Sequence, residues 1–316
     1  MSKKHRIFID GESGTTGLQI KQRLVNHPGI EIVSIAPELR KDAAAKAKLM
    51  SEVEVVVLCL PDDAAKEAAA QAESLGCKIL DPSSAHRVAE GWVFGLPEMA
   101  PGQREAIRAA RKISNPGCYA TGAIVLLRPL VDAGLIPTDA AYSINAVSGY
   151  TGGGKKMIEQ YENADGSVKS DAPSYVLYGL DFKHKHIPEI VRWSRLKTRP
   201  FFLPAVVPLA QGMLVSVALE DTDGEALHAA YAKHYAGERF VRLRELGWTD
   251  PGTAPYLEPH GTEGGNYVDI HVYASKEFKR TVVIAKLDNL GRGASGTAVQ
   301  NLNLMLGLPE ETAVGL

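Results

Sequence analysis

Apolar residues in the first hundred positions form short runs that alternate with segments of helical spacing. The runs predict strands at 6–10, 31–35, 53–60 and 78–81, with helices at 18–25, 43–50 and 61–75 between them. The run at 53–60 is almost continuously apolar, which is typical of a strand buried on both faces. This alternation predicts an α/β Rossmann domain with a doubly wound parallel sheet.

Strands predominate in the second half of the chain, and several alternate apolar with polar residues. They are predicted at 201–203, 213–218, 239–241, 267–273 and 281–285, with one amphipathic helix near 226–235. Alternation of this kind is typical of a sheet with one solvated face. We therefore expect a second α+β domain, with a mixed or antiparallel sheet, over residues 118–286. Residues 1–117 form the first domain, and a glycine-rich turn and helix in 287–316 return to complete it.

Composition narrows the functional classes. The 316 residues are 45% hydrophobic and 23% charged, with a net charge of −2, so the chain lacks the charge expected for nucleic-acid or acidic-membrane binding. No apolar run reaches membrane-spanning length. The three cysteines lack paired spacing, which argues against disulfides and a zinc site. We expect a cytoplasmic enzyme without a metal.

A glycine-rich turn follows the first predicted strand. Residues 11–17 read Gly-Glu-Ser-Gly-Thr-Thr-Gly and lead into a helix, an arrangement that brings backbone N–H groups and a helix N-terminus to a pyrophosphate. The alternative is a plain strand–helix turn, since the spacing is not G-x-G-x-x-G. The predicted dinucleotide contacts are Gly11, Ser13, Gly14, Thr15, Thr16 and Gly17.

The residues after the second strand distinguish NAD from NADP. An NAD site usually has an acidic residue there, whereas this chain has Ala36-Pro37 and then Arg40-Lys41. A basic pair suits a 2′-phosphate, so Arg40 and Lys41 predict NADP(H); the alternative is that both are solvated surface charges. The remaining residues assigned to the cofactor are Pro61, Ser83, Asn289 and Gly293.

Cys118 stands at a turn between a short strand and the apolar helical run at 123–127. A thiol at a helix N-terminus is expected to have a lowered pKa, and the thiolate is the nucleophilic form. Cys118 is therefore a candidate covalent nucleophile, with a buried structural thiol as the alternative. Cys59 and Cys77 lie in or beside apolar strands, and we assign them structural roles.

Two histidines precede a predicted helix that starts at Pro188. His186 and Glu189 are three residues apart and can face each other, which favours a general acid/base. His184 is the competing candidate. A metal site formed by His184, His186 and Glu189, or a pair of solvated loop histidines, remains open at this point.

A second glycine-rich segment, at 148–156, follows a predicted strand. Its G-x-x-x-x-G-K pattern is followed by Lys156 rather than the Ser or Thr that holds Mg²⁺ in an ATP site. We therefore exclude ATP and predict an anion cradle for substrate that includes Ser148, Gly149 and Lys155. A flexible surface loop is the alternative.

Together these motifs resemble the N-acetyl-gamma-glutamyl-phosphate reductases of the shorter type. The resemblance spans nearly the whole chain and rests on segments 11–17, 115–122, 184–189 and 288–296, with Gln300 and Asn303. It departs from the family at Thr15, where an aromatic residue is common, and at Gly291-Arg292. The second departure keeps a basic residue.

This resemblance implies NADPH-dependent reduction of N-acetylglutamyl 5-phosphate in arginine biosynthesis. It also implies kinship with aspartate-semialdehyde dehydrogenase and a homo-oligomer, either a tetramer or a dimer. Cys118 would form a thioester and release inorganic phosphate, His186 oriented by Glu189 would move protons, and Asn115 would contact substrate. A reductase of another acyl phosphate and a non-enzymatic NADP sensor are the alternatives.

Overall fold

The computed structural model describes residues 4–248 and 256–315, which divide into two compact units. The first unit comprises Met1–Pro97, Gly102–Gly117 and Ala294–Leu316, and the second comprises Glu98–Pro101 and Cys118–Gly293. Residues 287–293, which the sequence pattern assigns to the first domain, therefore belong to the second unit. The reason is that Asn289 bonds through its side-chain amide to Gly212 and Thr151, both in that unit.

The first unit is built on a parallel sheet. Its strands are β1 (His5–Asp10), β2 (Ile30–Val33), β3 (Val55–Leu58), β4 (Lys78–Asp81), β5 (Val93–Phe94) and β6 (Lys112–Ser114), and its first helices are α1 (Thr15–Leu24), α2 (Ala43–Met50), α3 (Asp62–Ser74) and α4 (Gln103–Ala109). The strand order in the described residues is β2-β1-β3-β4-β6-β5. Each neighbouring pair is parallel, which confirms the predicted fold class.

The direction in which successive strands are added reverses at β1. The chain moves from β1 to β2 on one side and then to β3 and β4 on the other. Right-handed crossovers therefore place α1 on one face and α2 and α3 on the other, and α2 packs against α3. Ligands of such sheets bind beyond the carboxyl ends of the strands at this reversal. The turn at residues 11–14 lies there, directly after β1.

The second unit is built on a larger mixed sheet. Its strands are β7 (Ser143–Gly149), β8 (Val176–Leu177), β9 (Phe201–Val207), β10 (Met213–Glu220), β11 (Val241–Leu243), β12 (Gly247–Trp248), β13 (Val268–Ser275) and β14 (Arg280–Leu287), and its helices are α5 (Cys118–Asp132), α6 (Lys155–Tyr161), α7 (Ile187–Trp193) and α8 (Gly224–His234). The described strands follow the order β11-β13-β14-β10-β7-β9-β8, and β12 pairs with β13. The pairs β10–β14, β10–β7, β13–β14 and β8–β9 are antiparallel. The pairs β7–β9, β11–β13 and β12–β13 are parallel, so the sheet is mixed, as expected for an α+β domain.

Helix α5 is the central helix of this unit. It packs against β10, β14, α7 and α8, and it is buried from Tyr119 to Leu130. A Cβ atom on Gly122 would lie 2.6 Å from Val215 Cγ2, so the glycine allows helix and sheet to approach closely. The start of α5, and Cys118 with it, is held by a well-packed core.

The chain returns to the first unit through a π-helical turn, Gly291–Ser295, and a final helix, α9 (Gly296–Met305). Every residue of α9 is buried, and α9 packs against α1, α4 and β4. Asn301 Nδ2 donates to Gly95 O at 2.9 Å and to Asn115 Oδ1 at 3.0 Å. Among the helices of the described ranges, none combines the length and apolarity that a membrane span requires.

Candidate active site

Cys118 is the first residue of α5, and its side chain is partly exposed. Gly293 packs directly against it, since a Cβ atom on Gly293 would lie 2.5 Å from Cys118 Cβ and 3.1 Å from Cys118 Cα. Gly293, which the sequence assigns to the cofactor, thus makes room for the candidate nucleophile. A side chain at position 293 would collide with Cys118, which explains the glycine.

Two tyrosine hydroxyls lie beside Cys118. Tyr178 Oη donates to Tyr119 Oη at 3.2 Å, and Tyr119 Oη donates to Ala205 O at 3.1 Å. Burial raises the pKa of both phenols, and the nearby Cys118 thiol raises them further. Both phenols therefore stay neutral. The sequence patterns do not single out Tyr178, because it directly follows the short strand β8 and belongs to no recognisable motif.

His184 lies among these aromatic rings. Its ring centroid is 5.5 Å from that of Tyr178, 6.0 Å from that of Tyr119 and 4.9 Å from that of Phe202. The backbone N–H of His186 donates to His184 Nδ1 at 3.2 Å. A nitrogen that accepts a hydrogen bond carries no proton, so the neutral His184 ring holds its proton on Nε2.

His186 and Glu189 form the second part of the cluster. His186 precedes α7 and Glu189 lies in its first turn, and both side chains are buried. His186 Nε2 lies 3.9 Å from Glu189 Oε1, which is an ion-pair distance and longer than a direct hydrogen bond. The His184 and His186 rings are 4.8 Å apart. Within the described ranges, no group of three or more His, Cys, Asp or Glu side chains is arranged to hold a metal ion.

Asn115, assigned to substrate by the sequence, lies in the first unit and is buried. Its Nδ2 donates to Ala294 O at 3.0 Å and its Oδ1 accepts from Asn301. Both ends of the amide thus bond to the chain itself. Asn115 ties the segment before Cys118 to the returning C-terminal segment.

The predicted anion cradle at 148–156 is divided between buried and exposed residues. Ser148 is buried and donates its hydroxyl to Gly149 O at 3.0 Å, and it slightly lowers the raised pKa of the nearby Tyr119. Gly149 has no room for a side chain, because a Cβ atom would lie 2.7 Å from the carbonyl oxygens of Leu209 and Ala210. Lys155 is 85% exposed and pairs with Glu159 at 3.7 Å, so its charge faces solvent.

The turn at residues 11–17 has the features of a phosphate cradle. Gly11 has φ +90°, and any Cβ there would overlap Cys59 O. Gly17 has no space for a side chain because the backbone of Gly11 lies against it. Gly14 caps α1 without a side-chain hydrogen bond, and Ser13 and Gly14 are exposed, whereas Thr15 and Thr16 are half-buried in the first turn. The first N–H groups of α1 can therefore face a ligand.

Arg40 has a partner that the sequence patterns do not indicate. Its Nη2 donates to Glu12 Oε1 at 3.1 Å, while Lys21 Nζ and Ser34 Oγ each donate to Glu12 Oε2 at 2.9 Å. Burial pushes the pKa of Glu12 up, but the bonds from Lys21, Ser34 and Arg40 outweigh it, and the pKa is lowered. Lys41 is exposed. The partners lie 9 to 28 positions from Glu12, so no local spacing reveals the group.

The other residues assigned to the cofactor have varied environments. Pro61 is exposed before α3, and Ser83 Oγ donates to the buried Asp81 at 2.8 Å. Asn289 bonds within the second unit, as described above. Arg292, the basic residue noted in the sequence, is fully buried and donates to Glu98 at 2.6 Å, so its charge is used inside the second unit.

Comparisons with known proteins agree with this division of the chain. The family model described as "Semialdehyde dehydrogenase, NAD binding domain" matches residues 6–110, and "Semialdehyde dehydrogenase, dimerisation domain" matches residues 118–289. Aspartate semialdehyde dehydrogenase II of Vibrio cholerae, solved in complex with ASA, has a similar fold (TM-score 0.69, 16% identity, 97% of this chain and 99% of that chain). The enzyme of Candida albicans, solved with NADP, matches with a TM-score of 0.63 at 14% identity, covering 96% of this chain and 99% of that one.

Sequence relatives are much more similar. The N-acetyl-gamma-glutamyl-phosphate reductase of Trichormus variabilis is 48% identical over 98% of both chains. That of Brucella ovis is 45% identical over 96% of this chain and 99% of its own, and that of Chelativorans sp. is 44% identical over 95% and 98%. The resemblance inferred from the motifs is thus confirmed over the full length, and the chain belongs to the N-acetyl-gamma-glutamyl-phosphate reductase family of semialdehyde dehydrogenases.

Proposed function

We propose that this protein reduces N-acetyl-L-glutamyl 5-phosphate to N-acetyl-L-glutamate 5-semialdehyde, with release of phosphate, in arginine biosynthesis. Full-length identity of 44–48% to reductases of that name supports the substrate. The observation that carries the chemistry is the cluster at the start of α5, where Cys118 lies beside the neutral phenols of Tyr119 and Tyr178. The ring of Tyr119 in turn packs against His184 and His186. A thiol and an acid/base are the groups that acyl transfer from a phosphate requires.

In the first step, the Cys118 thiolate attacks the acyl carbon. A C–S bond forms, the C–O bond to the phosphoryl group breaks, and inorganic phosphate leaves. The position of Cys118 at the first residue of α5 favours this step, because the unpaired N–H groups and the dipole at a helix start stabilise negative charge. The thioester divides one difficult reduction into two easier steps.

His186 moves the protons in this proposal. When the thioester carbon is reduced, the oxygen of the tetrahedral intermediate becomes negative, and His186 protonates it. His186 takes the proton back when the intermediate collapses to aldehyde and thiolate. Glu189, 3.9 Å from His186 Nε2, orients the ring. His184 is the competing acid/base, and because its Nδ1 accepts the His186 N–H, its neutral ring carries the proton on Nε2.

The residues of the first unit fit a nicotinamide dinucleotide, which supplies the hydride when bound. The side-chain-free cradle at Gly11 and Gly17 and the uncapped start of α1 suit its pyrophosphate. We propose NADP(H) rather than NAD(H), because Arg40 and Lys41 follow β2 where an NAD site usually has an acidic residue. Pro61 and Ser83, after β3 and β4, belong to the same crevice in this proposal.

We also propose a cytoplasmic homo-oligomer, a dimer or a tetramer. The name of the family model that matches residues 118–289 includes dimerisation. The three cysteines are free thiols, which is typical of a reducing compartment.

The reverse reaction tests the substrate. Phosphate-dependent reduction of NADP is measured with N-acetylglutamate semialdehyde and with aspartate semialdehyde. We expect the first to be preferred by at least about a hundredfold, the scale of discrimination that a binding site achieves by pairing polar groups. Preference for aspartate semialdehyde would assign the chain to another acyl phosphate, and no turnover with either would support a non-enzymatic NADP sensor.

The covalent step has its own test. Cys118→Ser is incubated with the acyl phosphate and no cofactor, and the acyl-enzyme is detected by intact mass. We expect the adduct in the wild-type protein and in the control Cys77→Ser, whose buried thiol bonds to Met50 O, but not in Cys118→Ser. An adduct on Cys118→Ser would show that another residue is the nucleophile.

A further inference from the structure

Glu12 places a negative charge at the end of β2, although the residues that directly follow β2 include no acidic one. The side chain starts in the turn after β1 and reaches Ser34, the residue after Val33 at the end of β2, with Oε2 and Ser34 Oγ 2.9 Å apart. The Glu12 carboxylate is buried, and its pKa is lowered. The end of β2 therefore carries an ionised carboxylate that comes from the turn after the neighbouring strand, β1.

The same carboxylate holds both nearby cations. Lys21 lies at 2.9 Å and Arg40 at 3.1 Å, and the side chains of these two residues are each about 40% exposed while Glu12 is nearly enclosed. Each cation thus has one face towards Glu12 and another towards solvent. Since one negative charge meets two positive charges, the group has a net charge of +1.

This group stands where adenosine ribose is recognised in doubly wound folds. At the end of the second strand, a carboxylate accepts hydrogen bonds from an unmodified ribose, whereas an arginine accommodates a 2′-phosphate. Here both kinds of residue occur, and they are bonded to each other. A 2′-phosphate approaching Arg40 would meet the negative charge of Glu12 at the same guanidinium.

We propose that Glu12 is a specificity-determining residue that competes with the 2′-phosphate of the cofactor for Arg40 and Lys21, and that it accepts a hydrogen bond from a ribose without that phosphate. The proposal rests on the cofactor site of the proposed function. Glu12 thereby limits the preference for NADP(H) and keeps measurable affinity for NAD(H). Arg40 supplies the phosphate contact, and Ser34 fixes the carboxylate.

The test compares two ligands that differ only in the 2′-phosphate. Dissociation constants of adenosine 2′,5′-bisphosphate and of 5′-AMP are measured by isothermal titration calorimetry on wild-type protein and Glu12→Gln. We expect the bisphosphate to bind at least about fivefold more tightly to Glu12→Gln, the smallest effect expected from removing a unit charge about 4 Å away, when water fully screens it. We expect 5′-AMP to bind more weakly, because the amide is a poorer acceptor than a carboxylate.

A matched control separates contact from net charge. Glu38→Gln removes one exposed negative charge from the short 3₁₀ helix Pro37–Leu39, just before Arg40. We expect the ratio of the two dissociation constants to stay within about twofold of the wild-type ratio, as for a screened surface charge. An equal change in Glu38→Gln and Glu12→Gln would overturn the proposal, as would an unchanged ratio in Glu12→Gln.

A second variant leaves Glu12 and its other partners intact. In Arg40→Met, Lys21 and Ser34 still hold the carboxylate, so the fold of the turn is preserved. We expect the bisphosphate to bind at least about tenfold more weakly, as for loss of a charged hydrogen-bond partner, and 5′-AMP to bind at least as well as before. Unchanged binding of the bisphosphate to Arg40→Met would refute the proposal that Glu12 and the 2′-phosphate compete for the Arg40 guanidinium.

The outcomes also separate this inference from the proposed function. If wild-type protein binds 5′-AMP as tightly as the bisphosphate, the assignment of NADP(H) fails. If the wild-type preference is present but does not change in Glu12→Gln, the assignment stands and the role of Glu12 fails.

Discussion

Helix α5, which begins at Cys118, contains a proline, and a tyrosine from outside the helix compensates for it. Pro129 has no N–H to donate to the carbonyl of Val125, four residues earlier. Tyr235, directly after α8, donates its hydroxyl to Val125 O at 2.8 Å in a buried position. Tyr235→Phe would therefore leave a buried carbonyl without its side-chain donor, at a position where the helix has none.

Tyr231 provides a matched control one turn earlier on α8. Its hydroxyl donates to Leu126 O at 2.7 Å and is also buried. Leu126, however, lies four residues before Leu130, whose N–H is available for the regular helical bond. Tyr231→Phe removes the same atom from the same environment, but the carbonyl it leaves retains a donor.

The two substitutions should therefore differ in cost. An unsatisfied buried carbonyl costs about 2 kcal/mol, whereas loss of a redundant hydrogen bond costs about 1 kcal/mol or less. For a folding unit of this size, each kcal/mol lowers the melting temperature by about 2–4 °C. We expect decreases of about 4–8 °C for Tyr235→Phe and at most about 4 °C for Tyr231→Phe, measured by differential scanning calorimetry.

A double-mutant cycle with Pro129→Ala tests the cause. Alanine restores the N–H that Val125 lacks, so Tyr235→Phe should cost about 1 kcal/mol less in that background, while the cost of Tyr231→Phe should not change. The reasoning is refuted if Tyr231→Phe costs as much as Tyr235→Phe in the wild-type protein, or if Pro129→Ala leaves the cost of Tyr235→Phe unchanged.

Two further predictions concern one residue in each unit. Gly293→Ala would place a methyl group 2.5 Å from Cys118 Cβ. Because catalytic geometry is sensitive to such displacements, we expect the rate of Cys118 alkylation by iodoacetamide to change by at least about tenfold. An unchanged rate would show that the site accommodates the methyl group without moving Cys118. Burial lowers the pKa of His27 despite its bond to Asn303, so the folded pKa lies below the unfolded value of about 6.5. The contribution of His27 to stability is therefore fully present above the unfolded pKa and is lost as pH falls from that value through the folded pKa. His27→Gln should flatten the dependence of unfolding free energy on pH between 7 and 5, and an equal slope in both proteins would contradict this.

The sheet of the first unit was largely predictable, because strands buried on both faces leave a strong pattern. The predicted strand at 78–81 coincides with β4, and the predicted helix at 43–50 coincides with α2. The strand predicted at 53–60 is shorter in the structure, Val55–Leu58. Cys59 still donates its N–H to Asp10 O at 2.8 Å, but the chain then bends at Leu60 and enters α3 at Asp62. β5 and α4 were missed because two and seven residues are too few to show a period.

The candidate site was predictable only where its residues are neighbours in sequence. His186 and Glu189 are three apart at a helix start, so the periodicity of a helix pairs them. Tyr178 directly follows β8 and Phe202 lies in β9, and their contact with His184 depends on how those two strands pair. Such contacts between distant segments leave no spacing signal.

The charge at a site depends on pairs of residues and not on a count of basic ones. Arg40 and Lys41 favour NADP in the sequence because the predicted second strand is followed by Ala36-Pro37, where an NAD site usually has an acidic residue, yet Glu12 bonds to Arg40 across 28 positions. A basic residue held by a buried carboxylate attracts a phosphate less than a free one, because the phosphate must share the guanidinium or displace the carboxylate. In the proposed cofactor site, the same pairing also leaves an acceptor for an unmodified ribose, so we expect the preference between the two cofactors to depend on Glu12 as well as on Arg40.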